Sequence, residues 1–197
     1  MSKFLLLLGV SGVGKSTLIN ELKQLDNRFT YISPYITRKL REGEKDKVSI
    51  DDKTMDEMAA RGEFLVINEL YGVRYGTPRL PITQALDANR FPVLDWPVSK
   101  MGIMTNAFPE KLYTIYVAPP SIEDLKTRLA KDARDPEGKR LKSAIEELEA
   151  FKAGKFKGIY DLDIITYTNH VLEIAQTIYS KYTEALNDRG LKTKEQA

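Results

Sequence analysis

The sequence predicts an α/β fold of three layers, a central and mainly parallel sheet between helices. Three observations carry this. Short apolar runs alternate with stretches of helical periodicity along the chain. The first run, Phe4–Leu8, is apolar without a break, as a strand buried on both faces must be. A glycine-rich segment, GVSGVGKS, follows it and opens directly into an amphipathic helix.

The elements follow in order. After the Phe4–Leu8 strand, Lys15–Leu25 is a helix, with Leu18, Ile19, Leu22 and Leu25 at helical spacing. Ser33–Lys47 is polar, basic and without periodicity. Thr54–Arg61 predicts a short helix ended by Gly62, and Phe64–Ile67 with Val73–Tyr75 predicts a hairpin around Gly72. Phe91–Leu94 is a buried strand bounded by Asp95 and Pro97; Leu112–Val117 is another, closed by Pro119 and Pro120. Ser121 opens S-I-E-D, a capping box with Asp124 in the acidic position, ahead of a helix carrying Leu125 and Leu129. Lys131–Gly138, charged and holding Pro136, is a loop, and Leu141, Ala144, Ile145, Leu148 and Phe151 fall on one face of the next helix. Ile164–Thr166 is a last short strand. Val171–Leu186 is the final helix, and 187–197 a charged, flexible tail. His170, at the start of that helix, reads as an N-terminal-turn residue.

Composition narrows the function. A chain of 197 residues suits one domain, 1–197, without staples. The absence of Cys excludes disulfides, thiolate metal sites and Cys nucleophiles, and a single His excludes any site needing two imidazoles. Thirty basic against 28 acidic residues, net +2, is too balanced to indicate nucleic-acid binding. No apolar run approaches a membrane span, and Phe4–Leu8 is too short for a secretory core, so the expectation is cytoplasmic.

Gly9 to Ser16 fits G-x-x-x-x-G-K-[ST] without a mismatch, and this P-loop carries the chemistry. Its glycines let successive N–H groups turn toward phosphate oxygens. The following helix adds its N-terminal dipole. The ATP-binding set is Gly9, Ser11, Gly12, Val13, Gly14, Lys15, Ser16 and Thr17; Lys15 reaches the outer phosphates and Ser16 can ligate Mg²⁺. A guanine-reading N-K-x-D is absent, which argues against a GTPase. Asp95, at the end of Phe-Pro-Val-Leu-Asp, stands where such folds keep an acidic residue near the metal. In TRKLREGE, Arg38 and Arg41 are three apart and can grip a phosphate monoester; a solvated basic loop is the other reading.

The chain resembles the guanylate kinase family of nucleoside monophosphate kinases. The shared stretches are GVSGVGKST at 9–17, TRKLREGE at 37–44, GEFL at 62–65, YGVRYGTP at 71–78, VLD at 93–95, YVAPPSIEDLKTRL at 116–129 and KRL at 139–141. The resemblance implies a region at 33–89 that binds the acceptor and a lid at 131–140. It implies that Arg38, Arg41, Tyr75 and Thr77 hold the acceptor, that Arg134 and Arg140 close over the transferring group, and that Arg128 assists. It implies ATP as co-substrate, Mg²⁺, small-molecule substrates alone, and a monomer or homodimer.

Departures cluster at the acceptor base. Where the family reads guanine with Ser, Glu and Asp, this chain has Pro34, Val66 and Pro97, and the KDKVSIDD stretch lacks the family's phosphate-binding Tyr. Ser33, Tyr35, Asn68 or Asp95 can read guanine from shifted positions, and Tyr31, Tyr35, Tyr71, Tyr75 and Trp96 offer aromatic faces. The expected reaction is ATP-dependent phosphorylation of GMP or dGMP. The alternatives are another phosphate monoester, a modified nucleotide or ribose 1,5-bisphosphate, whose kinases the Tyr35–Arg38 stretch also resembles, and an inactive binding module.

Overall fold

The computed structural model describes residues 3–192 apart from 42, 45, 71 and 131–137. Strand β1 (Phe4–Leu8) lies at the centre of a five-stranded sheet with β2 (Phe29–Tyr31), β7 (Phe91–Asp95), β8 (Leu112–Ala118) and β9 (Leu162–Ile165), in the order β2-β7-β1-β8-β9. Every pairing in it is parallel. All five β1 side chains are fully buried, which is why that run shows no alternation.

Helices cover both faces. Tyr113 and Tyr116, three apart on β8, point to opposite sides of the sheet. Tyr113 meets Tyr182 of α7 (Val171–Lys192), while Tyr116 stacks on Phe151 of α6 (Lys139–Lys152) at 4.1 Å between centroids. Helix α1 (Lys15–Leu25) packs beside α7, and Leu125 and Leu129 of α5 (Ile122–Ala130) join the same core.

A second sheet stands apart, in the order β4-β3-β6-β5: β3 (Tyr35–Ile36), β4 (Val48–Ser49), β5 (Phe64–Leu70) and β6 (Val73–Pro78). With α2 (Asp52–Ala60) it builds its own small core of Met55, Met58 and Phe64. The Gly72 hairpin is β5–β6, antiparallel, with a register shift between Phe64 and Val66.

Five labelled elements lie outside the periodic pattern. Strands β2, β3 and β4 have three, two and two residues, too few to alternate, and β3 lies in the stretch 33–47 that shows no periodicity. Helix α3 (Leu80–Asp87) carries a proline in its first turn, where proline is tolerated. Helix α4 (Met101–Ala107) has seven residues and a glycine at its second position. The final helix runs to Lys192, so residues 187–192, expected in a tail, are helical; 193–197 lie outside the described residues. Strand β9 begins at Leu162 and stops before Thr166, which is free to face the phosphate loop. No helix among the described residues is long and apolar enough to cross a membrane.

Candidate active site

The loop between β1 and α1 is shaped by sterics. Gly9 has φ +117°, and a Cβ there would collide with the Val117 carbonyl. Gly12 has φ +82°, and its Cβ would lie 2.7 Å from Leu129 Cδ2. Helix α1 starts at Gly14 with no side-chain cap and no acid in its first turn, leaving its N–H groups and positive dipole end for an anion. Ser16 and Thr17 are exposed at this end.

Lys15 folds over the loop, its Nζ donating to the Gly9 carbonyl at 2.6 Å and the Val10 carbonyl at 2.9 Å. Burial lowers its pKa; the charges of Asp95 and Glu147 oppose that, and Arg140 adds to it. Asp95 closes β7 in register with Leu7 and accepts from the Tyr31 hydroxyl at 3.3 Å. Glu147, on α6, accepts from the Tyr116 hydroxyl at 3.2 Å, and burial raises its pKa.

Two arginines reach the loop from beyond it. Arg140 Nη2 donates to Ser11 Oγ. Arg128 donates to the Val13 carbonyl at 3.0 Å and to the Thr166 carbonyl at 2.9 Å, while Thr166 Oγ1 donates to Val13 O at 3.0 Å. Arg128 thus braces the loop from outside. Arg134 and residues 131–137 of the expected lid lie outside the described residues.

The acceptor side is built on the second sheet and the turn before β4. Arg38 donates both Nη groups to Glu44, each at 2.7 Å. Glu44 also accepts from the Arg41 backbone N–H at 2.9 Å and from Lys47 Nζ at 3.1 Å. These donors, Arg38 foremost, hold the Glu44 carboxyl well below the usual carboxylate range. Across the β5–β6 ladder, Asn68 stands opposite Tyr75, and Val66 opposite Thr77.

A cleft of about 440 Å³ joins the two halves. Ser11, Arg38, Arg41, Asn68, Tyr75, Thr77, Asp95 and Arg140 all line it. So do Tyr31, Pro34, Trp96 and Pro97. Ser33 does not: its hydroxyl turns to the Pro34 carbonyl at 3.3 Å. Val66 shares its face of β5 with Asn68, stands opposite Thr77 at the cleft wall, and packs against the main core. Two buried donors, Arg38 Nε and Trp96 Nε1, have no hydrogen-bond partner.

Gly12, Val13, Gly14 and Thr17 line a second cavity of about 260 Å³, closed by Arg128, Thr166, Tyr167 and Val171. Its lining shares no residue with that of the first cleft. Among the described residues no three His, Cys, Asp or Glu side chains cluster to hold a metal. The Ser16 hydroxyl and the Asp95 carboxylate are hard oxygen donors, a set that suits Mg²⁺ completed by phosphate and water.

Sequence reasoning missed Glu44, Lys47 and Glu147. Glu147 had a signal: it follows Arg140 by two helical turns and shares its face. Glu44 had one as well, as the last residue of the shared stretch TRKLREGE; Lys47 had none, because its meeting with Glu44 depends on a turn without periodicity.

A family model described as Guanylate kinase matches residues 1–181. The guanylate kinase of Gluconobacter oxydans is 38% identical over 144 residues, spanning 70% of this chain and 69% of that protein. The guanylate kinase of Clostridioides difficile is 30% identical over 194 residues, 95% of this chain and 94% of its own length. Among solved structures, a guanylate kinase from Anaplasma phagocytophilum has a TM-score of 0.72 at 24% identity, covering 93% of this chain and 85% of that one, a likeness of fold.

Proposed function

The chain belongs to the guanylate kinase family, and on that premise we propose that it transfers the γ-phosphoryl group of ATP to GMP or dGMP, giving ADP and the nucleoside diphosphate. The observation that carries the reading is one cleft lined at one end by Ser11 and Arg140 of the phosphate-loop side and at the other by Arg38, Arg41 and Tyr75.

The donor phosphates would enter the loop of Gly9–Thr17, exchanging for the carbonyls that Lys15 now contacts. The donor base would take the second cavity. Arg140 would pass from Ser11 to the γ-phosphoryl group, as Arg134 would from the lid. Arg38, Arg41 and Tyr75 would hold the acceptor phosphate so that its oxygen attacks the γ-phosphorus in line. The new O–P bond forms as the bond to the β-phosphate bridging oxygen breaks, and ADP leaves with that electron pair. The acceptor oxygen is already anionic, so no general base is needed. Catalysis is positioning and charge neutralisation. Mg²⁺, held beside Ser16 and Asp95, would supply further charge neutralisation on the phosphates.

One observation favours a second reading, transfer to another phosphate monoester. Pro34 and Pro97 line the cleft, and the apolar Val66 stands opposite Thr77 at its wall, where the family reads guanine. A site that has lost hydrogen-bond partners for a polar base discriminates poorly. Both readings are tested by ADP release from Mg-ATP with GMP, dGMP, AMP, dAMP, CMP, UMP, dTMP and ribose 1,5-bisphosphate, with Lys15→Ala as blank. The strongest signal is expected with GMP or dGMP. A signal confined to another acceptor would replace the guanine assignment, and silence throughout would overturn the kinase reading. Residues 1–197 would act as one cytoplasmic domain.

A further inference from the structure

We propose that Lys47, which shares the Glu44 carboxylate with Arg38 and Arg41, is a third cationic ligand of the acceptor's phosphate beside those two arginines. The proposal rests on the kinase reading above for the identity of the acceptor, but its geometry is independent of it.

Glu44 is seated where an anion is wanted. One of its oxygens takes an Arg38 Nη and the Arg41 N–H; the other takes the second Arg38 Nη and Lys47 Nζ. The Arg41 guanidinium stands 3.9 Å from the same carboxylate. Three side-chain cations therefore surround one carboxylate, which leaves a local charge of +2. A phosphate monoester carries about −1.5 to −2 at neutral pH, so the surplus matches one such group.

Donors remain to meet it. The Lys47 ammonium has three N–H groups, of which Glu44 takes one. Arg38 Nε is buried and unpartnered. Lys47 also lines the cleft, alongside Arg38, Arg41 and Tyr75. Among the described residues of the stretch 45–52 no other side chain does so. Without Glu44, three like charges this close would repel one another; with it they are held apart and aimed at the cleft.

The test is calorimetric binding of GMP, inorganic phosphate and ATP to the full chain and to Lys47→Ala and Lys47→Arg. Lys47→Ala should weaken GMP and phosphate each by about tenfold, the scale of one charge-assisted hydrogen bond. Lys47→Arg should restore most of that, and ATP affinity should not change. GMP binding by Lys47→Ala within twofold of the parent would overturn the proposal. A Glu44→Gln background separates a ligand from a mere partner of Glu44. A ligand still loses affinity there when Lys47 is removed; absence of any further loss would refute direct contact. If the parent binds phosphate with this Lys47 dependence yet phosphorylates no nucleotide, the proposed function falls and Lys47 stands. If the parent binds neither GMP nor phosphate, both fall.

Discussion

Burial and neighbours act on Lys15 and Glu44 in opposite senses. The charged form of Lys15 is disfavoured, chiefly by burial, and that of Glu44 is favoured, chiefly by Arg38. For Lys15 the disturbance is a cost present at neutral pH that eases only as pH rises through the lowered value. An arriving phosphate removes it, so the lysine is preset for an anion. Lys15→Ala should cut turnover at least a hundredfold while leaving cooperative unfolding, which steady-state ADP release and urea denaturation would check together. For Glu44 the sign is the reverse. Its stabilisation is fully present above the usual carboxylate range, near 4.5, and is lost as pH falls below it toward the lowered native value. Glu44→Gln should therefore be the less stable protein at pH 7 but show a flatter loss of stability between pH 5 and pH 3, measured by urea unfolding at each pH.

At the scale of elements, the phosphate loop is held by parts remote from it in sequence. Helix α5 is begun by Ser121, whose Oγ accepts from the Asp124 N–H at 3.0 Å and donates to its carboxylate at 2.6 Å. The same helix carries Arg128 to the Val13 carbonyl and sets Leu129 against Gly12. Ser121→Ala should cost about 1 kcal/mol in chemical unfolding, the usual worth of such a cap, with kcat little changed. Gly12→Ala is a harsher change. It places a side chain in a backbone region that glycine alone occupies freely, and against Leu129. Both thermal stability and ATP affinity should fall; unchanged ATP affinity would mean the loop tolerates a Cβ. The capping box was legible in the sequence because its spacing is local. The bracing by Arg128 and Thr166 was not, since those residues are 38 apart and meet only once β9 is laid beside β8.

Over the whole molecule, two sheets with separate cores face each other across the cleft, and α7 ties the larger one together. Tyr182 of α7 packs on Phe29, Phe91 and Tyr113 from three strands and donates to the Lys3 carbonyl at 2.6 Å. Tyr182→Ala should cost about 3–5 kcal/mol, the range for large aromatic truncations in a core, as read by urea unfolding. A loss below 1 kcal/mol would mean that α7 docks through other contacts. The sequence by itself determined the parallel α/β class, the phosphate loop, the hairpin of the second sheet and the arginine pair at 38 and 41. Each is written in local periodicity or in a contiguous motif, and local patterns survive without knowledge of the fold. Only the tertiary structure decided that Glu44 and Lys47 join the arginines, that Glu147 acts on Lys15 and that Ser33 turns away. It also decided the short elements β2, β3, β4, α3 and α4. The physical reason is the same for all of these: their positions depend on strand order and on turns without periodicity, and long-range contacts leave no trace in the spacing of neighbouring residues.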